Sequence, residues 1–313
     1  MQNATIKQLR SVVEIVRTGR IVSAARELRL TTPAITSQIK LLEEELGVGL
    51  FDRTRDGMRP TAAGMAVYST AMRVLAQLDE CADAIRDLKG LKGGTVAVGV
   101  VSTGKYFAPY IITAFLRTHP GIDIRMTIGN RGEIIERLRD YAVEFAIMGQ
   151  PPADFAVQST RIGEHPLIII APPDHHLARR RRVAKADLIG ERFLLREKGS
   201  GTRANFEAAF ADADVPVQTI EFGSNETIKQ GVMAGLGIAP ISGHTVAAEL
   251  TDGRLVALDV EGFPVRRQWY VVHRSDRTLS PSAASFLDFL VSRGADFLPP
   301  PHLFDRGLGR NGL

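Results

Sequence analysis

Three short segments of this 313-residue chain combine hydroxyls, small residues and a nearby cation, as a site for a phosphate or carboxylate requires. Val101-Ser102-Thr103-Gly104-Lys105 follows the apolar run TVAVGVV, and Gly199-Ser200-Gly201-Thr202-Arg203 follows RFLLREK. Gly223-Ser224-Asn225-Glu226-Thr227 comes two residues before Lys229. Each reads as the step from a strand into a helix, where the first backbone N–H groups are free and the helix dipole favours an anion. Asn130-Arg131, after the run IDIRMTIG, adds a polar and cationic pair. One such junction is only a well-capped helix start. Three of them with clustered cations point to an anion pocket for a phosphorylated or carboxylated metabolite.

Other patterns point elsewhere and carry less. Gly99 to Lys105 satisfies G-x-x-x-x-G-K, but Tyr106 stands where Mg²⁺ ligation needs Ser or Thr, so the rival reading of a nucleotide-dependent enzyme is disfavoured. No spacing among the seven histidines resembles a metal site, and no Ser/His/Asp set is recognisable; no catalytic residue and no metal are expected. His175, His176 and the run Arg179 to Arg182 read as a solvated loop. The single cysteine, Cys81, can form neither an intrachain disulfide nor a zinc site alone, and is expected to be half-buried in a helix.

A second chemistry lies in residues 20–46, RIVSAARELRLTTPAITSQIKLLEEEL. Ser23 is expected to cap a short helix that turns Ala25 and Leu28 inward, and Leu30-Thr31 to break it. Thr32 then caps a second helix with Pro33 in its first turn. Ile35, Ile39, Leu42 and Leu46 fall on its inward face, leaving Thr32, Ser37, Gln38 and Lys40 outward, able to reach base edges or phosphates. Alone this is also an ordinary helical hairpin. The flanks favour a helix-turn-helix: small residues at Ala24 and Ala25 allow close crossing, and Arg53, Arg55 and Arg59 surround the turn Asp56-Gly57 as a basic wing anchored by Leu50 and Phe51. Residues 1–62 carry ten Lys/Arg against seven Asp/Glu, an excess of +3 out of a net +4 for the whole chain.

The elements that must position these groups follow from periodicity. Thr5 and Gln8 form a capping box for a helix that should bury Ile6, Leu9, Val13 and Val16 and stop at Gly19. Residues 61–89 read as one long helix with an apolar stripe (Met65, Tyr68, Met72, Leu75, Leu78, Ala82, Ile85, Leu88) that needs a second copy of the chain as partner. Residues 89–94, KGLKGG, end it as a hinge. Beyond lie strands at 95–101, 122–129, 143–149, 166–172, 192–196, 217–223, 235–242 and 269–273, interleaved with helices: a doubly wound, mainly parallel α/β arrangement in two lobes. The fold class expected is therefore α + α/β. The domains are a winged helix-turn-helix at 1–62, a linker helix at 63–90 and a regulatory domain at 91–296, its first lobe from 91–162 and 268–296 and its second from 163–267. A flexible tail at 297–313 completes the chain. The hydrophobic fraction of 44% and charged fraction of 24% suit a soluble globular chain, and no run approaches a membrane span or signal peptide, so a cytoplasmic location is expected.

The order SAARELRLTTPAITSQIKLLEEELGVGLFDRTRDGMRPTAAG closely resembles the LysR-type transcriptional regulators, whose usual forms are S-x-A-A-x-x-L, T-Q-P-A-V-S-x-Q-I-K-x-L-E, L-F-x-R and T-x-A-G. VSTGKYFAP, AIMGQPP, PLIIIAPPDHHLA, REKGSGTR and GSNETIKQGVMAGLGIAPIS resemble the subgroup controlling Calvin-cycle (RuBisCO) operons. The resemblance implies a regulatory domain like type 2 periplasmic binding proteins, a dimer through the linker helix, a dimer of dimers, promoter DNA as partner and RNA polymerase as a further one. It implies no cofactor, but a non-covalent anionic effector such as a sugar phosphate, phosphoenolpyruvate or NADPH. Contacts to DNA would fall on Ser23, Arg26, Thr31, Thr32, Pro33, Ala34, Ser37, Gln38, Lys40 and the three wing arginines. Effector contacts would fall on Ser102, Thr103, Lys105, Asn130, Arg131, Gly149, Gln150, the run Gly199 to Arg203, Asn225 and Glu226. Thr32 stands where the family usually has Gln, and Ser37 where Arg is common. Both shorten a base-reading side chain, so no operator sequence is transferred. A regulator of an unrelated metabolic operon is the alternative within the family.

Overall fold

The computed structural model describes residues 3–88, 93–211 and 218–304. The chain divides into two compact units, Met1–Leu91 and Lys92–Leu313. The expected hinge falls mostly on residues 89–92, outside the described residues.

In the first unit α1 (Ile6–Thr18) is opened by the expected capping box: Gln8 N donates to Thr5 Oγ1 and Thr5 N to Gln8 Oε1 at 2.7 Å. Gly19, at φ 69°, ends it. Its buried face is rotated from the one expected. Leu9, Val12 and Ile15 are inside with Gln8 and Ser11, while Ile6 is 38% exposed and Val13 and Val16 lie at the core's edge. Two buried polar residues carry this shift, because each finds a partner. Helix α2 (Ile21–Glu27) starts two residues before Ser23, with Arg20 as its N-cap and no side-chain cap, so Ser23 is an interior helix residue. Ala24 and Ala25 are buried at the crossing. The turn to α3 (Thr32–Leu46) runs through Arg29 in the left-handed region at φ 54°. Its N-cap is Thr31, whose hydroxyl accepts from Ala34 N, and Thr32 is already helical.

Strands β1 (Phe51–Thr54) and β2 (Gly57–Pro60) make the wing, with Asp52 opposite Arg59 and Arg53 opposite Met58. Gly57 is required twice over: its φ is 146°, and a Cβ there would lie 2.2 Å from Gly19 O, which accepts from Met58 N. Helix α4 (Ala62–Leu88) leans on this unit through Val67, Tyr68 and Ala71. Tyr68 and Met72 of the stripe therefore have their own chain as partner, while Met65 is 45% exposed, which corrects the expectation that the whole stripe awaits a second copy. Leu78 (44% exposed) and Ile85 (48%) stay outward, and Cys81 is exposed, not half-buried.

The second unit holds two lobes. In the first, β3 (Gly94–Val101) runs parallel to β4 (Ile122–Gly129) and β5 (Phe145–Met148). The chain alternates strand and helix here, through α5 (Ala108–Thr118) and α6 (Arg131–Arg139). β6 (Val157–Glu164), not anticipated from its mixed polar sequence, then takes the sheet's far edge. In the second lobe β7 (Leu167–Ala171) is the centre of a three-stranded sheet, while β8 (Arg192–Arg196) lies parallel to β9 (Gln218–Phe222). Between and after these strands come α7 (Gly201–Ala209) and α8 (Asn225–Met233). β10 (Ala239–Ser242) and, beyond α9 (Ala247–Thr251), β11 (Val256–Ala257) flank β7 antiparallel. The chain returns as β12 (Gln268–Arg274), antiparallel to both β5 and β6, before α10 (Pro281–Arg293). The mainly parallel arrangement expected is thus a mixed one. Chain returns between lobes supply antiparallel strands that a helix-strand count does not reveal.

Nor are residues 297–304 a loose tail. They fold as turns, and Phe304 is 3% exposed in the second lobe's core with Ile228, Ile241 and Val246. Burying one aromatic outweighs the disorder that three consecutive prolines suggest. Residues 305–313 lie outside the described residues.

Candidate ligand cleft and DNA-reading surface

On the reading surface, α3 turns Ile35, Ile39 and Leu42 inward, each worth about 1.5–3 kcal/mol of burial. That fixes the helix face and leaves Thr32, Pro33, Ser37 and Lys40 exposed, with Ala34 half-buried. Arg26 and the wing residues Arg53, Arg55 and Arg59 are also exposed. Lys40 Nζ lies 3.5 Å from Glu44 on the same helix, a surface pair worth little against a phosphate. Gln38 departs from expectation. Its Oε1 accepts from the fully buried Ser11 hydroxyl at 2.5 Å, so it ties α3 to α1 rather than facing outward. Ser23 is half-buried within α2, and Thr31 spends its hydroxyl acceptor on the cap.

In the second unit a cleft of about 430 Å³ of non-atom space, partly open to solvent, is lined by Ser102, Thr103, Asn130, Arg131, Gly149, Gln150, Ser200, Gly201 and Thr202 from the predicted set. The fold explains this convergence. Ser102 and Thr103 follow β3, Asn130 and Arg131 follow β4, Gly149 and Gln150 follow β5, and Ser200 to Thr202 follow β8, so strand ends and helix starts meet as open α/β sheets dictate. Asn130 caps α6 by accepting from Glu133 N at 3.0 Å, and Ser200 caps α7 by accepting from Thr202 N at 3.2 Å. Both helix starts therefore present N–H groups and positive dipole ends to the cleft. Gly199 and Arg203 line an outer pocket that shares Arg131, Gln150, Ser200 and Gly201 with the cleft.

Not every predicted contact reaches it. Arg203 Nε donates to Glu207 at 2.8 Å and its Nη1 to Glu221, so its charge is already matched. Asn225 is 2% exposed, and its Oδ1 accepts from Arg196 Nη1 at 2.8 Å. The same Nη1 donates to Ser102 Oγ at 3.1 Å, which makes Arg196 and Asn225 a brace behind the cleft wall. Glu226 accepts from Tyr106 Oη at 3.0 Å and pairs with Lys229 at 3.1 Å, while Lys105 stacks over the Tyr106 ring. The near-Walker loop is thus committed to structure, with Ser102 N donating to Gly129 O at 2.7 Å instead of cradling phosphate.

Three lining residues had no signal in any motif: His165, Asn205 and Arg267. Asn205 comes in on α7, one turn beyond the Gly199–Arg203 junction. His165 and Arg267 are distant in sequence from the junctions, and only the return of the chain through residues 163–167 and 265–268 brings them in. Arg267 Nε donates to His165 O at 3.1 Å, and burial pushes its pKa down to about 10, still charged at neutral pH. His165 is 3% exposed, stacks on Trp269 with centroids 3.8 Å apart, and places Nε2 3.0 Å from Ser242 Oγ. Among the described residues, Arg131 Nε, Arg267 Nη2 and His165 Nδ1 are sealed from solvent without a protein partner. None of the described lining residues is acidic. Arg131 Nε and Arg267 Nη2 are donors whatever the tautomer of His165. Unmatched buried donors cost roughly 1–3 kcal/mol each, so a cleft holding two suits a ligand that accepts.

The histidines also form a cluster that spacing did not show: His175, His176 and Glu191 bring ligand atoms within 4.8 Å of one another. Each ring lies 3.2 Å from a different oxygen of Glu191, and Leu177 N donates to His175 Nδ1. His175 Nδ1 is thus taken by a backbone donor and its Nε2 faces the carboxylate, so the cluster pins its loop through these contacts rather than presenting bare ligand nitrogens. No helix among the described residues is long and apolar enough to cross a membrane.

Comparison with known proteins agrees with this division. The model for "Bacterial regulatory helix-turn-helix protein, lysR family" matches residues 6–65, and that for the "LysR substrate binding domain" matches residues 89–295. The chain is 48% identical over 301 residues to the HTH-type transcriptional regulator CbbR of Sinorhizobium medicae strain WSM419, covering 96% of each. It is 39% identical over 297 residues to the RuBisCO operon transcriptional regulator of Allochromatium vinosum, covering 94% of this chain and 97% of the other. Among solved structures, the regulatory domain of Synechocystis PCC6803 CcmR in complex with 2-PG superposes with a TM-score of 0.62 at 34% identity, covering 64% of this chain and 96% of that one.

Proposed function

Since this chain belongs to the LysR family and is a DNA-binding transcription regulator, we propose that it controls a carbon-fixation (RuBisCO) operon and that its effector is a small phosphorylated carboxylic acid. The observation that carries the ligand class is the set of sealed, unpartnered donors on Arg131 and Arg267 in a cleft without acidic lining. Two guanidinium groups and two helix starts suit a compact ligand with two anionic ends. The named ligand of the CcmR relative, 2-PG, has that chemistry, and the CbbR and RuBisCO-operon relatives support the operon. Contacts to the effector are assigned to Ser102, Thr103, Asn130, Arg131, Gln150, Ser200, Thr202 and Arg267; contacts to DNA to Thr32, Pro33, Ser37, Lys40 and the wing arginines.

The protein itself performs no bond chemistry in this reading. It binds duplex DNA as a homodimer or dimer of dimers through exposed cations, whose phosphate contacts release counterions. Ligand binding draws the two lobes together, and this shifts a population between two arrangements because the anion satisfies donors in only one of them. Titration of 2-phosphoglycolate into the full-length protein, followed by gel shift on DNA upstream of the RuBisCO operon, tests both halves. Specific retardation that changes with ligand is expected. Specific binding to other promoters only would overturn the operon assignment, and saturable binding of neutral sugars in preference to phosphorylated acids would overturn the ligand class.

A further inference from the structure

We infer that His165 is a proton-coupled contact: when the phosphorylated acid enters the cleft, the imidazole takes one proton from solvent and donates Nδ1–H to a ligand oxygen. This rests on the ligand class proposed above and adds to it a specific partner atom and a change in protonation.

The placement comes first. His165 belongs to the cleft lining and is nine-tenths buried or more, and its Nδ1 has no protein partner among the described residues. Trp269 holds the ring by stacking at a 14° interplanar angle, and Ser242 Oγ holds the far nitrogen, so the free nitrogen cannot swing away. Gly149, which shares the lining, lets the ring approach closely: a Cβ there would sit 2.7 Å from Nδ1.

Charge balance then assigns the proton. A phosphate carries roughly −1.5 to −2 near neutrality, and a carboxylate brings the ligand close to −3. Arg131 and Arg267 supply two positive charges in the lining, and none of the described lining residues is acidic. The groups facing His165 are Arg267, His244 with its ring centroid 6.0 Å away, the Ser242 hydroxyl and the Trp269 ring. His244 is itself held down to about 4 by burial and by Arg267, and its Nδ1 accepts from Trp269 Nε1 at 3.0 Å, so it offers no positive charge. Burial, with Arg267 and His244 adding to it, keeps the free imidazole far below its ordinary value and hence neutral. An anion beside it reverses the sign of the local field and makes the imidazolium the favoured form. The free-state value is depressed and the bound-state value raised, so binding strengthens as pH falls through the interval between them. The proton moves from buffer to Nδ1, and no ligand bond is broken.

The test is calorimetric titration of 2-phosphoglycolate into the full-length protein in buffers of different ionisation heat, above pH ~7, where the phosphate's own titration is largely complete. Uptake near one proton per ligand is expected, with affinity falling about tenfold per pH unit. In His165→Asn, or His165→Gln should the first not fold, the uptake and the pH dependence disappear. Tight binding without proton uptake by the unaltered protein would overturn the proposal, because a neutral Nδ1–H tautomer would then suffice. Undiminished uptake in a folded His165 variant would overturn it by placing the proton elsewhere. Failure of both 2-phosphoglycolate and inorganic phosphate to bind would instead remove the ligand class and the proposal together.

Discussion

The start of α3 and the starts of α6 and α7 share a plan, a hydroxyl or amide cap with cations close by, yet they hold those cations in opposite surroundings. On the reading surface Arg53, Arg55 and Arg59 stand in water, and Lys40 is 75% exposed at its side chain. In the cleft, the unpartnered nitrogens of Arg131 and Arg267 are sealed. Screening by solvent makes each exposed cation a small and replaceable contributor to a long polyanion. Desolvation makes each buried one decisive for a small ligand. In the proposed function, the same residue types serve a tolerant, salt-sensitive surface in one unit and a selective cleft, pH-sensitive through His165, in the other.

The sharpest break of that contrast is Arg267→Met. Losing a buried charge-assisted contact should cost the ligand roughly 2–5 kcal/mol, on the order of a hundredfold or more in Kd by calorimetry. Retardation of promoter DNA without ligand should persist. A smaller effect is expected from Thr103→Val combined with Thr202→Val, both residues being 5% exposed at the cleft wall. Two lost hydrogen bonds at about 1 kcal/mol each reduce affinity by roughly tenfold to thirtyfold and abolish the ligand-induced shift on gels. If a folded double variant loses DNA binding as well, the two units do not divide the work as described.

On the reading surface the expected changes are smaller. Lys40→Ala should weaken binding to specific and random duplexes alike and lower the slope of log K against log salt by about one, whereas Ser37→Ala should alter base preference with that slope intact. The smallest effect belongs to Ser11→Ala, which removes the bond to Gln38. It should lower stability by about 1 kcal/mol in denaturant unfolding while leaving sequence preference unchanged. A changed preference there would return Gln38 to the surface.

Local pattern carried much of this in advance. The Thr5 capping box, the stop at Gly19, the α3 core face, the wing around Asp56-Gly57 and the strand ends at Ser102, Asn130 and Ser200 are each set within a few neighbouring residues. The misses share another character. Ser23 and Thr32 each satisfy a capping pattern without being the cap, because helix entry is decided by the turn geometry at Arg20 and Thr31. Gln38 has the composition of a surface reader, yet its partner Ser11 lies 27 positions away. Asn225 and Glu226 open a helix like the others, but Arg196 and Tyr106 claim them first. Phe304 sits in a proline-rich end whose core cluster begins with Ile168, far earlier in the chain.

Residue order and periodicity were enough for the winged reader, the α/β class and an anion-binding composition, since capping, amphipathic faces and strand–helix junctions depend on interactions a few residues long. What escaped them was the identity of the buried cleft groups, His165 and Arg267, which face the junctions only after the chain has passed into the second lobe and back. No local preference marks either residue. Their positions, and the loss of solvent that gives them their chemistry, come into being when the two lobes pack.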